Sequence, residues 1–259
     1  MKLALQGRRI VVTRPAAQAG ELARMIRAQG GEAVLFPLLE IGPADDAQPL
    51  QQAIARLDEY ATAVFVSPNA VAFSVPHILA RRAWPAGLRA AAIGPSTAVE
   101  LRALGLAQIL APAQRFDSEA LLALSEFQAG HVAGARVLIL RGNGGRELLA
   151  DTLRQRGAQV DCVMCYQRSP PAELTPLLSL LSAASLDALT VSSSEGLRTL
   201  VDRLDAGAAE RWRRLPLFVP HQRIAEIAAE LGWRRVVLTA PADAGILEGL
   251  CAYDWSSHE

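Results

Sequence analysis

Small hydroxyl-bearing residues, glycines and arginines recur in short loops along this chain, and these residue types are suited to binding anions. The loops come at the starts of predicted helices, where free backbone N–H groups and the helix dipole favour negative charge. Hydroxyl and guanidinium groups add donors for a carboxylate or a phosphate. We predict substrate-binding roles for the following residues: Arg14, Ser67, Asn69, Gly94, Ser96, Thr97, Arg141, Gly142, Asn143, Arg146, Arg168, Ser192, Ser193, Ser194 and Arg223.

The glycine-rich loop Arg141–Arg146 lacks the signatures of a nucleotide site. A dinucleotide-binding loop would need a third glycine where this chain has Glu147, and a P-loop would need a Lys-Ser or Lys-Thr pair. Two alternatives stay open: a tight turn with a solvated arginine, and a site for a ligand that carries carboxylates. Ser192–Ser194 has a similar alternative, because a serine can simply cap the following helix.

Few residues could carry acid–base or metal chemistry. No Ser-His-Asp set, metal-ligating cluster or carboxylate pair stands out in the sequence, so we expect no metal site. Cys162 and Cys165 form a C-x-x-C, but they lie in an apolar run typical of a strand, where residues three apart point to opposite faces. Tyr166 lies where the chain is expected to cross between domains. Its phenol would either enter a cleft or pack at an interface.

The elements that must position these loops occur in two similar halves. Residues 7–36 match residues 134–163 at an offset of 127, with Arg14 on Arg141 and Gly30 on Gly157. A duplicated unit explains this register, and chance similarity between two α/β stretches is the alternative. Five predicted strands alternate with helices in each half, which implies two doubly wound parallel sheets. The strands are expected near 9–13, 33–38, 62–67, 88–93 and 108–111, and near 135–141, 159–164, 186–191, 215–219 and 235–239.

Glycine and proline mark where the predicted helices end. Gly30, Gly157, Gly105 and Gly232 each follow a helical pattern, at the position where a left-handed cap needs no Cβ. Pro76 falls inside a helical pattern and should kink or end that helix.

Composition narrows the class of protein. The 259 residues allow one large domain or two ordinary ones, and 51% apolar residues exclude intrinsic disorder. The 26 basic and 26 acidic residues balance, so no global field would attract nucleic acid or an anionic membrane. The sequence shows no secretory signal pattern and no apolar run of the roughly 18–20 residues that span a bilayer. We predict a cytoplasmic protein.

The segments 36–40 and 165–168 are equivalent under the offset and are candidates for crossings between domains. If both are crossings, the first β-α unit of each half packs with the later part of the other half. Two sequential domains are the alternative that the sequence leaves open.

The central stretch closely resembles uroporphyrinogen-III synthase, particularly its proteobacterial members. The resemblance is carried by Leu138–Leu153, by Arg156–Val160 and by Cys165–Arg168. Shorter matches extend it over nearly the whole chain, at Val12–Pro15, Phe36–Leu38, Ser67–Val71, Ala92–Gly94 with Thr97 and Ala98, and Glu226–Trp233.

The resemblance implies a fold and an activity. It implies two flavodoxin-like domains, one of residues 1–36 and 168–259 and one of residues 39–165, joined by two extended linkers with the active site between them. The substrate would be hydroxymethylbilane, a linear tetrapyrrole with eight carboxylates. Its hydroxyl leaves as water, and the ring closes with inversion of ring D to give uroporphyrinogen III, without a cofactor. We further expect a monomer that receives its substrate from hydroxymethylbilane synthase.

The resemblance also implies roles for individual residues. Tyr166 matches the family's tyrosine and is our candidate general acid, while Thr97 and Ser193 match cleft positions that bind carboxylates. Pro220–Arg223 departs from the Gly-Pro-Thr-Thr-like loop of many members, which puts ligand roles in that loop in doubt. The alternative function is a non-catalytic module of two lobes that closes on a small anion.

Overall fold

The computed structural model describes residues 3–182 and 185–255, and within them the chain has an α/β fold. It divides into two compact units: unit 1 is Met1–Glu40 with Ser169–Glu259, and unit 2 is Ile41–Arg168. The strands in chain order are β1 (Arg9–Val12), β2 (Glu32–Leu35), β3 (Glu40–Pro43), β4 (Thr62–Phe65), β5 (Arg89–Ala92), β6 (Ile109–Leu110), β7 (Arg136–Gly142), β8 (Gln159–Ser169), β9 (Ala188–Thr190), β10 (Leu217–Val219) and β11 (Val236–Leu238).

Helices connect these strands, and no helix in the described part of the chain is long and apolar enough to cross a membrane. They are α1 (Ala16–Ala28), α2 (Gln48–Ala55), α3 (Pro68–Ala72), α4 (Val75–Leu79), α5 (Pro95–Ala103), α6 (Ser118–Ala123), α7 (Ala129–Val132), α8 (Leu148–Gln155), α9 (Thr175–Ser182), α10 (Ser194–Asp202), α11 (Ala206–Arg214), α12 (Gln222–Glu230) and α13 (Ala242–Ala252).

Unit 1 contains a five-stranded parallel sheet in the order β11-β10-β9-β1-β2. Alternate residues of β1 pack on opposite faces: Val11 joins one apolar cluster, and Ile10 and Val12 join the other. Both faces are therefore covered, as a parallel sheet requires. Helix α1 supplies part of one cover, because Ala19, Leu22, Ala23 and Ile26 form a buried stripe at helical spacing.

Unit 2 contains a six-stranded sheet in the order β3-β8-β7-β4-β5-β6. Strand pairs β8-β7, β7-β4, β4-β5 and β5-β6 are parallel. Here too the core lies on both faces, since Ala63 and Phe65 of β4 join one cluster and Val64 joins the other. The α/β class and the parallel sheets predicted from the sequence are confirmed.

The predicted helix ends are also confirmed. Gly30, Gly105, Gly157 and Gly232 have φ values of +81°, +90°, +86° and +84°, the left-handed conformation that a Cβ makes costly. The helical pattern around Pro76 is broken into α3 and α4, and Pro76 lies in the first turn of α4, where the N–H that it lacks would have no helical partner.

Some strand bounds differ from the predicted ones. The strand expected near 33–38 ends at Leu35, two residues before Pro37, which has no N–H to donate. Strand β3 was not predicted, and it lies beside β8. The segment 165–168, predicted as a crossing, has strand structure: it is the last part of β8, which continues to Ser169.

Candidate active site

Seven of the predicted site residues line one cavity in unit 2, at the carboxyl ends of β4 and β7. The cavity has a volume of about 190 Å³. Parallel strands deliver the loops that follow them to the same edge of a sheet, which is where ligands of such folds bind. The predicted residues that line the cavity are Ser67, Arg141, Gly142, Asn143, Arg146, Tyr166 and Arg168.

Tyr166 is held in a defined position in this cavity. Only 6% of its surface is exposed, and its hydroxyl lies 3.0 Å from Ser67 Oγ. Its ring stacks on Phe73, with 6.1 Å between centroids and 28° between ring planes. Ser67 also accepts a hydrogen bond from the N–H of Ala70 at 3.2 Å and so caps α3. The tyrosine hydroxyl is therefore linked through Ser67 to the start of a helix.

A change of register between β7 and β8 changes the direction of the Tyr166 side chain. Arg141 of β7 lies opposite Met164 of β8, but the next residue, Gly142, lies opposite Tyr166, so β8 has one extra residue at this point. Such a bulge interrupts the alternation of faces, and consecutive residues Cys165 and Tyr166 are both buried.

Gly142 provides the space that the ring of Tyr166 occupies. A Cβ at residue 142 would lie 2.6 Å from both Cε2 and Cζ of Tyr166, which is closer than atoms can approach. The ring thus packs directly on the backbone of β7, at a position where glycine alone leaves room.

Asn143 and Arg168 fix the glycine-rich loop to the end of β8. The Asn143 side chain donates to the carbonyl of Arg168 at 2.9 Å and accepts from the Arg168 N–H at 2.7 Å. The Arg168 guanidinium donates back to the carbonyl of Asn143 at 3.0 Å. The guanidinium is thereby oriented by the loop that follows β7.

The other two arginines of the cavity are paired with carboxylates. Arg141 donates to Glu147 at 2.9 Å and to the carbonyl of Gly144 at 2.6 Å. Arg146 makes a two-point contact with Glu119, at 2.7 and 3.0 Å, and this contact lowers the pKa of the Glu119 carboxyl. A carboxylate ligand would compete with Glu147 and Glu119 for these guanidinium groups.

The remaining predicted residues of unit 2 do not line the cavity. Asn69 lies half-buried in the first turn of α3, and Gly94 precedes α5. Ser96 is exposed in the first turn of α5, whereas Thr97 is 2% exposed.

The predicted residues of unit 1 follow the carboxyl ends of its own strands. Arg14, after β1, forms an ion pair with Asp243 of α13. Ser193, after β9, caps α10 by accepting from the N–H of Gly196 at 3.2 Å, and Ser192 and Ser194 beside it are half-buried. Arg223 is exposed in the first turn of α12.

The residues of the cavity region that were not predicted as site residues include Phe73 and Ser118. Phe73 stacks on Tyr166, and Ser118 of α6 lines the cavity. Phe73 lies far from Tyr166 in the chain, so no local pattern signals the stacking. Ser118 follows β6 and could have been found by the same search of loops after strands.

The cysteines are separated as the strand periodicity predicts. Cys162 is exposed and Cys165 is buried, on opposite faces of β8. Burial raises the pKa of the Cys165 thiol to about 12, so this thiol stays neutral at physiological pH.

Comparison with known proteins assigns the chain to a family. The model of the family described as uroporphyrinogen-III synthase HemD matches residues 20–248. The uroporphyrinogen-III synthase of Escherichia coli (strain K12) is 37% identical over 237 residues, which cover 90% of this chain and 96% of that protein. That of Synechococcus elongatus is 31% identical and covers 80% of this chain and 79% of the relative.

Solved structures have the same fold. A mutant uroporphyrinogen III synthase from the extremely thermophilic bacterium Thermus thermophilus has a TM-score of 0.63 at 16% identity, with 93% of this chain and 96% of that chain covered. Uroporphyrinogen-III synthetase from Helicobacter pylori 26695 has a TM-score of 0.56 at 17% identity, with 93% and 97% covered. Since the family model spans most of the sequence, the chain belongs to the uroporphyrinogen-III synthase family.

Proposed function

We propose that this chain closes hydroxymethylbilane to uroporphyrinogen III, and that Tyr166 gives the proton with which the substrate hydroxyl leaves as water. Membership in a family of synthases supports catalysis over the alternative of a non-catalytic anion-binding module. The observation that carries the role of Tyr166 is its hydroxyl, held 3.0 Å from Ser67 Oγ in a cavity surrounded by anion-binding groups.

The hydrogen bonds around Tyr166 suit a proton donor. Ser67 Oγ already accepts from the N–H of Ala70, so its own proton is available to the tyrosine oxygen. When Ser67 donates in this way, the phenol proton is free to point at a substrate oxygen. Transfer of that proton breaks the C–O bond and releases water, and the electron-rich pyrrole stabilises the carbon cation that remains.

The protein's other contribution is to position a flexible chain. Ring closure joins that carbon to the terminal ring D, and the ring inverts through a spiro intermediate, after which the proton lost from ring D returns to the phenolate. A free linear tetrapyrrole would lose conformational entropy when its two ends meet. By holding the two carbons together, the protein removes this entropy loss from the ring-closing step. Asn143, Arg141 and Arg168 are the groups we assign to substrate carboxylates at this cavity.

Arg14, Ser193 and Arg223 are the corresponding proposals in unit 1, each following a strand of its sheet. A monomeric state and delivery of substrate by hydroxymethylbilane synthase stay predictions.

The reaction is tested by incubating the purified protein with hydroxymethylbilane and separating the oxidised products by isomer. We expect the type III isomer. Type I is what hydroxymethylbilane gives without an enzyme, so type I as the sole product would contradict the proposal.

The role of Tyr166 is tested with Tyr166→Phe, for which we expect kcat to fall roughly 100-fold, the scale of a lost general acid. The melting temperature should change little, because the ring and its stacking on Phe73 remain. Tyr60→Phe is the matched control: Tyr60 is a buried tyrosine of the same unit that donates to Asp161 at 2.7 Å and does not line the cavity. Wild-type turnover in Tyr166→Phe would remove this residue from the mechanism.

The order of strands supports the further proposal that the two units arose by duplication. At the offset of 127 residues, β1 falls on β7 and β2 on β8, while β4, β5 and β6 fall on β9, β10 and β11. With these equivalences, β11-β10-β9-β1-β2 of unit 1 and β6-β5-β4-β7-β8 of unit 2 are the same order. Strand β3 is then an addition to unit 2.

A further inference from the structure

We propose that Phe116 stacks on a pyrrole ring of the substrate that extends beyond the cavity beside Tyr166. This inference rests on the proposed function, because it assumes a tetrapyrrole ligand. The cavity of about 190 Å³ is smaller than the roughly 300–1,000 Å³ of pockets that enclose a drug-sized ligand. A linear tetrapyrrole therefore fills the cavity with one part only, and its remaining rings must lie against neighbouring surface.

Phe116 lies on the surface next to the cavity. It is 52% exposed and follows β6, the edge strand of the sheet in unit 2. Its Cβ is 3.8 Å from the position that a Cβ would have at Gly94. Ile93, which precedes Gly94, and Ser118, two residues after Phe116, both line the cavity. Phe116 and its neighbour Gly94 are therefore each within two residues in the chain of a residue of the cavity wall.

The backbone that carries Phe116 is constrained by contacts at the start of α6. Asp117 accepts from the N–H of Ala120 at 2.8 Å, which caps α6, and from the guanidinium of Arg115 at 2.7 Å. Glu119 of the same helix is bound by Arg146 from the glycine-rich loop. These contacts fix the backbone on which the ring stands without covering the ring itself, so a ligand would not have to order this loop.

The chemistry of the substrate fits an exposed phenyl ring. Pyrroles are flat and electron-rich, and aromatic pairs gain stability in offset or edge-on arrangements beyond their buried area. The carboxylates on the pyrroles would be bound by the arginines and N–H groups nearby, whereas the ring faces need an apolar surface. Stacking on a ring remote from the reacting carbons stabilises bound substrate and transition state equally, so it should affect KM rather than kcat.

The test is Phe116→Ala, assayed with hydroxymethylbilane beside the wild-type protein. We expect KM to rise roughly tenfold, with kcat within about threefold of wild type and the melting temperature unchanged. At low substrate concentration the share of type I product should increase, because unbound hydroxymethylbilane closes spontaneously. Phe116→Trp should keep KM near the wild-type value, since it retains an aromatic face.

Leu79→Ala is the matched control. Leu79 is 41% exposed, belongs to the same unit, and lies near Leu88, at the amino end of β5 and thus at the opposite edge of the sheet. An unchanged KM in Phe116→Ala, or an equal rise in Leu79→Ala, would overturn the inference. A fall in kcat with unchanged KM would overturn it too. Failure of the wild-type protein to give type III would refute the proposed function itself.

Discussion

Tyr166 takes its position from three neighbouring residues. Gly142 leaves the space for the ring, Phe73 stacks on it, and Ser67 connects its hydroxyl to the start of α3. Each contact restricts a different movement of the phenol. The backbone at Gly142 limits its approach to the strand, Phe73 limits the tilt of the ring, and Ser67 limits rotation of the hydroxyl. The position of the proposed proton donor therefore depends on its neighbours as much as on the tyrosine.

Gly142→Ala tests this dependence without changing any polar group. The new Cβ would lie 2.6 Å from two ring atoms of Tyr166, so the ring must move by about 1 Å, a displacement that can cost on the order of 100-fold in rate. We expect kcat to fall at least tenfold and stability to fall by about 1–3 kcal/mol through overpacking. Steady-state kinetics and thermal melting measure the two effects.

Gly130→Ala provides the comparison for that variant. Gly130 belongs to α7 of the same unit, and a Cβ there would meet nothing within 4 Å. This variant should keep full turnover. If Gly142→Ala also kept full turnover, the packing of Tyr166 on the backbone of β7 would have no part in catalysis.

At the level of elements, periodicity predicted most of the sheets but not the part that shapes the site. The alternation in β8 correctly separates Cys162 from Cys165. The extension of β8 to Ser169 depends on its neighbour β3, whose glycine and proline disfavour a strand when the sequence is considered alone. The bulge at Tyr166 likewise depends on pairing with β7, which no local pattern encodes.

In the candidate site, too, single residues could be predicted from the sequence but contacts between distant segments could not. Reading the loops after strands identified Ser67 and Gly142, because parallel strands bring such loops to one edge, whereas Tyr166 was identified from its place at a predicted domain crossing and from the family resemblance. The hydrogen bond between Ser67 and Tyr166 joins segments far apart in the chain, so the sequence could not reveal it. Nor could it show that Arg141 would bind Glu147 of its own loop, which is a matter of loop geometry.

The two faces of β8 predict an order of thiol reactivity. In native protein at pH 8, Cys162 should react rapidly with a disulfide reagent because it is exposed. Cys165 should react only on unfolding, since burial raises its pKa to about 12 and its Sγ lies 3.5 Å from the carbonyl of Arg141. Peptide mapping after timed labelling identifies each site, and Cys162→Ser should remove the fast phase attributed to that residue. Equal labelling rates for both would contradict the burial of Cys165.

The same thiol gives stability a pH dependence. Burial raises the pKa of the Cys165 thiol to about 12 in the folded state, whereas an unperturbed cysteine has a pKa of about 8.5. The unfolded state alone therefore loses a proton as the pH rises above about 8.5, and the contribution of this residue to stability, complete below that pH, declines between about 8.5 and 12. Denaturant unfolding of wild type and Cys165→Ala at pH 7 and pH 10 should show the smaller loss of stability with pH in the variant. An identical pH dependence in both proteins would exclude this contribution.

At the scale of the whole molecule, local pairing explains how a chain with no net charge can bind a polyanion. The 26 basic and 26 acidic residues leave no long-range field, so we propose that substrate recognition comes from donors gathered at the strand ends. Arg141 and Arg146 are bound there by Glu147 and Glu119, which a substrate carboxylate would replace in the proposed complex. The acids thus keep the unliganded guanidinium groups oriented and the overall charge balanced.

The division into two units predicts that unit 2 folds by itself. Residues 40–168 are continuous and include all six strands of one sheet except Ser169, the last residue of β8, with apolar clusters on both faces of the sheet. A chain of this size with its own core meets the requirements of an independent domain. We expect this fragment to give a helix- and strand-rich circular dichroism spectrum and a single cooperative unfolding transition. Its Cys165 should stay protected from thiol reagents, because the hydrogen-bond partners of that thiol lie within the fragment.

Residues 1–39 are the control for that experiment. They contain β1, α1 and β2, but β1 pairs on its other side with β9, which lies far along the chain. Without β9 the apolar face of this short segment has no cover, so we expect it to remain unfolded. A fragment 40–168 that unfolds without cooperativity, or labels at Cys165 as fast as at Cys162, would mean that unit 2 depends on the rest of the chain. The order of strands that it shares with unit 1 would then reflect a common layout without independent stability.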